Sequence, residues 1–259
     1  MELSNELNVA IDAAIRAGEK IMEIYNGSIE VEYKENNTPL TAADKQANEI
    51  ILGELIKHFP EHSILSEERK DTRSRLKDDW CWIVDPLDGT KEFIKRNGEF
   101  TVNIALTYKH KSILGVIYVP VTKEIYYAVK GFGAYLQSEG FIKKLAVSDK
   151  KENLTLVASR SHTSEKLSKL IEENKDKFKE VKSAGSSLKG CLIAKGEAEL
   201  YYRFGLTSEW DTAAMQCIVE EAGGIFRQLD SSEMTYNREN TLNEKGFYIV
   251  NDKENIFII

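Results

Sequence analysis

The sequence predicts a layered α/β fold, and three features of its 259 residues support this prediction. Apolar residues near the amino terminus recur at helical spacing. A central block, residues 80–135, is rich in β-branched and aromatic residues with turn signals between the apolar runs. Beyond residue 150, segments typical of strands and of helices alternate. Elements arranged in such blocks are typical of proteins with packed helical and sheet layers.

Two amphipathic helices are predicted first. The first covers residues 3–26, where apolar side chains recur at steps of three and four. The second is predicted from Thr41 to about His58, because Phe59-Pro60 stops it. Thr41 and Asp44 have the spacing of a capping box, which places Asp44 in the first helical turn.

A charged loop and then a series of strands follow. Residues 67–79 are highly charged and nearly devoid of apolar side chains, so a solvated, mobile loop is predicted there. The next apolar runs are separated by turn signals and predict an antiparallel meander. Its strands are expected at residues 80–84, 101–108, 113–120 and 124–129, with a continuation at 131–135.

The second half of the chain alternates between the two kinds of element. Strands are predicted at residues 154–159, 199–204 and 246–250, and helices at 164–174, 187–195 and 211–222. After Lys143-Lys144 the pattern changes from successive strands to alternating strands and helices. This change predicts two lobes, an amino-terminal one of residues 1–145 and a carboxy-terminal one of residues 146–259.

The composition restricts the class of ligand. With 42 acidic and 35 basic residues the formal net charge is −7, which argues against long nucleic acid as a partner. A small anionic substrate would then need a metal ion and a few local cations. Cys81, Cys191 and Cys217 form no Cys-x-x-Cys pair and are predicted to be reduced core residues.

The sequence also predicts a location. The amino terminus lacks a basic start followed by an apolar segment, and no run of about 18 apolar residues occurs. We therefore expect a cytoplasmic protein without a transmembrane segment. Contact with the inner face of the cell membrane stays open, although no basic amphipathic helix is predicted. The choice between monomer and homodimer also stays open.

One short motif carries the clearest chemical signal. Asp85-Pro86-Leu87-Asp88-Gly89-Thr90 follows a buried apolar run and holds two carboxylates three residues apart. Carboxylates, a backbone carbonyl and a hydroxyl are ligands that Mg²⁺ prefers. Pro followed by Asp-Gly is also ordinary turn chemistry, so the motif alone permits a structural interpretation.

Three other acidic positions accompany this motif. Glu67 lies upstream of it, Asp44 opens the second helix, and Asp211 opens a late helix within Glu209-Trp210-Asp211-Thr212-Ala213-Ala214. Each has a purely structural alternative: Glu67 belongs to a solvated charge run, and the two aspartates serve as helix-start residues.

In this order the motifs resemble the inositol monophosphatase superfamily of Mg²⁺-dependent, Li⁺-sensitive phosphatases. The two matching signatures are residues 82–90 and residues 210–224, ending in Glu221-Ala222-Gly223-Gly224. Residues 91–106 further resemble the bacterial 3′(2′),5′-bisphosphate nucleotidases within that superfamily. The resemblance covers nearly the whole chain and implies an αβαβα sandwich with two sheets.

The resemblance also implies roles for individual residues. The expected Mg²⁺ ligands, for about two to three ions, are Glu67, Asp85, the carbonyl of Leu87, Asp88 and Asp211. Thr90 and Asp44 correspond to the pair that holds the attacking water. Contacts to substrate are expected from Glu67, Leu87, Asp88, Gly89, Thr90 and Asp211 as well.

Substrate choice is expected to come from the second lobe. By resemblance, His162, Ser186, Lys189 and Arg203 contact the phosphate and sugar of a nucleotide. Their structural alternatives are a loop, a helix start and a strand edge.

The function implied by the resemblance is hydrolysis of 3′-phosphoadenosine 5′-phosphate to AMP and phosphate, a step of sulfur assimilation and nucleotide recycling. The sulfated analogue, 3′-phosphoadenylyl sulfate, is a second candidate substrate. An inositol or sugar monophosphatase is an alternative, because the same metal site would serve it. A regulatory binding protein with the same fold is the alternative from a different class.

Overall fold

The computed structural model describes residues 3–33, 39–160 and 164–257. Within this part the α-helices are α1 (Ser4–Tyr25), α2 (Ala42–His58), α3 (Thr90–Ile94), α4 (Glu165–Glu173), α5 (Leu188–Ala194) and α6 (Glu209–Glu221). The strands are β1 (Val31–Tyr33), β2 (Pro39–Thr41), β3 (Ser63–Ser66), β4 (Trp80–Asp88), β5 (Thr101–Tyr108), β6 (Lys111–Val119), β7 (Glu124–Val129), β8 (Gly133–Ser138), β9 (Phe141–Lys144), β10 (Leu154–Ser159), β11 (Phe178–Ala184), β12 (Leu200–Arg203), β13 (Ile225–Gln228) and β14 (Phe247–Val250).

The larger sheet has seven strands in their chain order, from β3 to β9. β3 runs parallel to β4, and every later neighbour pairs antiparallel. The predicted meander is therefore confirmed. The edge strands β3 and β9, and the short β1–β2 hairpin beside α2, were not predicted from the sequence.

The second sheet has five strands in the order β11-β10-β12-β14-β13. β10 pairs parallel with both β11 and β12, whereas β14 pairs antiparallel with β12 and β13. The larger sheet ends at Lys144 and this one begins at Leu154. The division into two lobes at residue 145 stays a prediction.

The helices form three layers around the two sheets. α1 and α2 pack on one face of the larger sheet, through residues such as Ala17 and Ile51 against Trp82 and Val84. α5 and α6 lie between the two sheets. α4 covers the outer face of the second sheet, where Leu167 packs near Leu156. This sequence of layers is an αβαβα sandwich, so the predicted fold class is confirmed.

Alternation along β4 explains how one strand serves two cores. Trp82 and Val84 belong to the core under α1 and α2, whereas Cys81 and Ile83 belong to the core between the sheets. Successive side chains of a strand point to opposite faces. A strand buried on both faces is therefore apolar throughout, as Trp80–Val84 is.

A glycine sets the distance between α6 and the larger sheet. A Cβ atom added to Gly115 on β6 would lie 2.4 Å from the carbonyl oxygen of Ala214 on α6. No side chain fits in that space. The close approach positions the first turn of α6, which carries Asp211, relative to the end of β4.

The expectation of a fully solvated loop at residues 67–79 was wrong. A 3₁₀ turn at Ser74–Lys77 buries Arg75, whose side chain is 2% exposed. Its guanidinium pairs with Asp71 at 2.8 Å and donates to Asn237 Oδ1 at 2.8 Å. The same pairing lowers the pKa of Asp71. Burial is tolerated because the charge has a partner, and charge composition alone does not reveal that partner.

The environment of the cysteines agrees with the prediction from the sequence. Cys81, Cys191 and Cys217 are buried free thiols, as predicted. No helix in the described ranges is both long and apolar enough to span a membrane.

Candidate active site

The motif of residues 85–90 begins where β4 leaves its regular pairing with β5. Asp85 pairs with Asn103 and Asp88 pairs with Thr101, and the register shifts between the two aspartates. The amide of Leu87 donates to Asp85 Oδ1 at 3.1 Å. This irregularity turns both carboxylates toward the same space, which a regular strand would not do for residues three apart.

Three carboxylates meet at this point. Oxygen atoms of Asp85, Asp88 and Asp211 all lie within 4.8 Å of one another. Burial, together with the charges of Glu67 and Asp88, raises the pKa of Asp85 well above its usual range. Burial and the charge of Asp88 raise the pKa of Asp211 to about 8. Burial and mutual repulsion therefore disfavour the ionised forms of these carboxylates.

Glu67 lies beside this cluster rather than within it. It lines the same cleft, and its charge raises the pKa of Asp85 and of Asp211. The structure thus brings the four acidic residues expected as Mg²⁺ ligands, Glu67, Asp85, Asp88 and Asp211, to one cleft.

Asp44 and Thr90 form a second polar group at the site. Thr90 Oγ1 lies 3.1 Å from Asp44 Oδ1 and 3.3 Å from the carbonyl oxygen of Leu87. Asp44 Oδ2 accepts bonds from the amide and the hydroxyl of Thr41. Asp44 therefore completes the predicted capping box with one oxygen and contacts Thr90 with the other. The two interpretations of Asp44 are compatible.

Gly89 makes the turn between strand and helix possible. Its φ of +94° lies in the left-handed region, and an added Cβ would lie 3.0 Å from the carbonyl oxygen of Glu99. A side chain would be both strained and crowded there. Helix α3 begins at the next residue, Thr90.

The acidic cluster, Gly89 and Thr90 line a cleft of about 310 Å³ between the end of β4 and the second sheet. Among the residues expected to bind substrate, Ser186, Lys189 and Arg203 line the opposite wall. His162 lies outside the described residues.

Ser186 and Arg203 have unused hydrogen-bonding groups. Ser186 Oγ and Arg203 Nε are buried and have no hydrogen-bond partner in the described part of the chain. Ser186 also has a φ of +43°, which is unfavourable for a residue with a side chain. Buried polar atoms without partners are rare in folded proteins. Both residues line the cleft, so its wall carries two polar groups that no described residue satisfies.

Lys189, unlike Ser186 Oγ and Arg203 Nε, has hydrogen-bond partners for its polar group. Its ammonium group donates to the carbonyl oxygens of Ser186 and Ala184 and lies 5.3 Å from the centre of the Tyr201 ring. Burial lowers its pKa to about 8, although the charge of Asp88 opposes this shift. The lysine therefore stabilises the Ser186 loop and adds positive charge to the cleft.

Sequence reasoning missed two polar residues next to Asp88. Ser187 Oγ donates to Asp88 Oδ2 at 2.7 Å, and Asn103 Nδ2 donates to the same oxygen at 3.2 Å. An Asn within the β-branched and aromatic run of β5 was the signal that could have drawn attention to that position.

The model of the inositol monophosphatase family matches residues 2–255. The chain belongs to the inositol monophosphatase family. It is 42% identical over 240 residues to the 3′(2′),5′-bisphosphate nucleotidase CysQ of Salmonella typhimurium, covering 91% of this chain and 96% of the relative. Identity to CysQ of Escherichia coli K12 is 40% over 247 residues, covering 94% and 98%.

Solved structures of family members have the same fold. The crystal structure of CysQ from Bacteroides thetaiotaomicron has a TM-score of 0.84 and 41% identity, covering 96% of this chain and 98% of that one. An IMPase from Thermotoga maritima has a TM-score of 0.81 at 26% identity, covering 95% and 92%.

The donor set of this family member fits Mg²⁺. Asp85, Asp88 and Asp211 supply hard oxygen ligands close together. Burial and the neighbouring carboxylates raise the pKa of Asp85 and of Asp211. A divalent cation would relieve this repulsion.

The pKa values lead to a prediction for the metal-free protein. Asp211 has a pKa of about 8 in the folded chain against 3.8 ordinarily, so the native state binds more protons than the unfolded state between these values. Stability must then fall as pH rises through this window. We expect Mg²⁺ to raise the melting temperature more at about pH 8 than at about pH 5. Calorimetric melting with EDTA or with Mg²⁺ at both pH values measures this, and an equal increase at both would contradict it.

Proposed function

We propose that this protein is a Mg²⁺-dependent phosphatase that hydrolyses 3′-phosphoadenosine 5′-phosphate to AMP and phosphate. One observation carries the proposal: a single cleft joins a cluster of three carboxylates to a wall that contains Ser186 Oγ and Arg203 Nε, which have no hydrogen-bond partner among the described residues. The similarity to relatives named 3′(2′),5′-bisphosphate nucleotidase supports the choice of substrate. The sulfated analogue, 3′-phosphoadenylyl sulfate, is a further proposed substrate.

The metal ligands in this proposal are the residues on the acidic side of the cleft. Asp85, Asp88, Asp211, Glu67 and the Leu87 carbonyl would hold about two to three Mg²⁺ ions. Bound Mg²⁺ neutralises phosphate charge and lowers the pKa of water. Li⁺ would inhibit, because it can occupy an ion position with half the charge.

Thr90 and Asp44 would position the nucleophilic water. The Thr90 hydroxyl donates its proton toward Asp44 Oδ1 at 3.1 Å, which leaves an oxygen lone pair to accept a proton from water. As the water attacks phosphorus, its proton passes to Thr90 Oγ1 while the hydroxyl proton moves to Asp44 Oδ1. The backbone amide of Thr41 donates to the other carboxylate oxygen, Oδ2, and holds the carboxylate in place for this transfer.

The far wall of the cleft would bind the phosphate that is not cleaved. A bisphosphate nucleotide carries a second dianionic group that the metal cluster does not neutralise. Arg203 Nε and Ser186 Oγ are donors without partners among the described residues, and Lys189 adds positive charge. His162 is proposed for the same role on the basis of its position in the family motif. Gly89 and Thr90, at the start of α3, would contact the phosphate that is cleaved.

An inositol monophosphatase is the competing function, because the fold is shared with the Thermotoga maritima IMPase. The acidic cluster serves either substrate equally well. The cationic wall distinguishes them, since an inositol monophosphate has no second phosphate to place against Arg203.

The proposed partner is therefore a small nucleotide rather than long nucleic acid, which the net charge of −7 disfavours. Three buried free thiols accord with a reducing cytoplasm as the proposed location.

Product analysis tests the proposal. Purified protein incubated with 3′-phosphoadenosine 5′-phosphate and Mg²⁺ should release one phosphate and form AMP, as separated by chromatography. EDTA should stop the reaction and Li⁺ should slow it. Formation of adenosine 3′-phosphate instead of AMP, or phosphate release in EDTA, would contradict the proposal.

Arg203→Ala should separate the two candidate substrates. Loss of a charge-assisted hydrogen bond costs about 1.5 to 3 kcal/mol, roughly ten- to a hundredfold in kcat/KM for the bisphosphate nucleotide. Slow hydrolysis of β-glycerophosphate should change by less than about threefold. Arg227→Ala is the matched control, because Arg227 lies on the same sheet and pairs with Glu220. Equal losses on both substrates would refute a role for Arg203 in holding the second phosphate.

A further inference from the structure

Three buried polar side chains outside the metal motif converge on Asp88. Thr101 and Asn103 lie on β5, and Ser187 immediately precedes α5. Each is at most 1% exposed. Asn103 Nδ2 donates to Ser187 Oγ at 2.9 Å, and both residues donate to Asp88 Oδ2. Thr101 Oγ1 donates to Asn103 Oδ1 at 2.9 Å.

The Asp88 carboxylate sets the direction of the hydrogen bonds that reach it. A carboxylate oxygen accepts and does not donate, so Asn103 must present its amide nitrogen to Asp88. Ser187 accepts a hydrogen bond from that nitrogen and donates one to Asp88. This orientation presents the amide oxygen of Asn103 to the Thr101 hydroxyl, which donates to it. Asp88 is thus held in one orientation from two sides.

The network also connects the two walls of the cleft. Asn103 belongs to the larger sheet, whereas Ser187 follows Ser186, whose hydroxyl lacks a partner in the described part of the chain. The two neighbouring serines therefore differ in their contacts. Ser187 donates to the acidic cluster, whereas Ser186 lines the cleft without a hydrogen bond from its hydroxyl to a described residue.

We propose that Asn103 and Ser187 are positioning residues that hold the Asp88 carboxylate in the orientation that binds the metal ion. The inference rests on the proposed function, because it requires Asp88 to be a metal ligand. Hydrogen-bonded partners of metal ligands typically change metal affinity by about ten- to a hundredfold when they are removed. A group that merely satisfies buried polar atoms would change stability instead.

Metal binding without substrate tests the role directly. Mn²⁺ is a suitable probe, because it prefers the same oxygen ligands as Mg²⁺ and its free form is counted by electron paramagnetic resonance. We expect Ser187→Ala to weaken Mn²⁺ binding by about tenfold. At saturating metal, its KM for 3′-phosphoadenosine 5′-phosphate should stay within about threefold of the wild-type value.

Substitution of the adjacent Ser186 is expected to have the opposite effect on metal affinity and KM. Ser186→Ala should raise KM for the nucleotide, while its Mn²⁺ affinity stays within about threefold of wild type. Two neighbouring Ser→Ala changes would then affect different quantities, which a general loss of loop structure does not produce.

A second pair of variants tests the same inference if Ser187→Ala does not fold. Thr101→Val removes the hydroxyl that orients Asn103 without touching Asp88, and should weaken Mn²⁺ binding by about three- to tenfold. Thr107→Val is the matched control. Thr107 is a buried residue of the same strand, and its hydroxyl donates to the carbonyl oxygen of Cys81 at 2.9 Å. Its loss should lower stability and leave Mn²⁺ affinity unchanged.

Two outcomes would overturn the inference alone: wild-type Mn²⁺ affinity in folded Ser187→Ala, or equal weakening in Thr101→Val and Thr107→Val. If the wild-type protein itself failed to bind Mn²⁺, the proposed metal site would be wrong, and the positioning role would fall with it.

Discussion

Asp88→Asn and Asp211→Asn are each expected to lower kcat/KM for 3′-phosphoadenosine 5′-phosphate by about a thousandfold, or ~4 kcal/mol. Each change keeps the size of the side chain and removes one charge from the cluster whose oxygens lie within 4.8 Å. A neutral amide is a poor ligand for a hard divalent ion. Steady-state phosphate release over a range of Mg²⁺ concentrations measures the loss.

The same variants should not lose stability when metal is absent. The charge of Asp88 raises the pKa of both Asp85 and Asp211, so its removal relieves repulsion within the cluster. We therefore expect melting temperatures in EDTA at about pH 8 that equal or exceed the wild-type value. Asp12→Asn, at an exposed position of α1, controls for charge removal alone. Folded Asp88→Asn or Asp211→Asn with near-normal turnover would rule out the metal assignment.

Thr90→Ala is expected to lower kcat by about a hundredfold, while KM changes by less than about threefold. The hydroxyl lies 3.1 Å from Asp44 Oδ1, and its proposed contact is with the water that attacks phosphorus. An interaction made mainly in the transition state affects turnover rather than binding. Steady-state kinetics at saturating Mg²⁺ separates the two constants, and Thr90→Ser should keep most of the wild-type kcat because it keeps the hydroxyl.

Thr41→Val distinguishes catalysis from helix capping. The Thr41 hydroxyl binds the other oxygen of Asp44 and caps α2. Its removal should cost about 1 kcal/mol of stability and leave kcat within about threefold of wild type. If Thr90→Ala kept a normal kcat, or if Thr41→Val reduced kcat as strongly as Thr90→Ala, the contact between Thr90 and Asp44 would be structural only.

Local sequence signals were sufficient for much of the fold. The capping residue Thr41 and the stop at Phe59-Pro60 gave the bounds of α2 to within one residue. β5 and β7 were predicted with the observed ends, because β-branched and aromatic runs stood between clear turns. In these elements a residue's neighbours in the sequence determine its conformation.

Elements that depend on distant partners were missed. β11 (Phe178–Ala184) is an edge strand with exposed polar residues, and its parallel pairing with β10 leaves no local turn signal. β3 has only four residues and pairs parallel with β4. Arg75 is buried because Asn237, far along the chain, accepts a hydrogen bond from its guanidinium group.

The candidate site shows the same contrast. Asp85, Asp88 and Thr90 form one motif and were recognisable together, and the family resemblance added Asp44, Glu67 and Asp211. Asn103 and Ser187 lie 15 and 99 residues from Asp88. No spacing rule connects residues that meet only when two sheets pack around α5 and α6, so the support of Asp88 could be seen only in three dimensions.

The preference of the wild-type protein between two substrates tests the central claim most directly. We would measure kcat/KM for 3′-phosphoadenosine 5′-phosphate and for myo-inositol 1-phosphate with the same protein, buffer and Mg²⁺ concentration. Donors that hold a second phosphate should favour the nucleotide by about a hundredfold or more. Equal values for the two substrates, or a preference for the inositol phosphate, would contradict the proposed bisphosphate nucleotidase function.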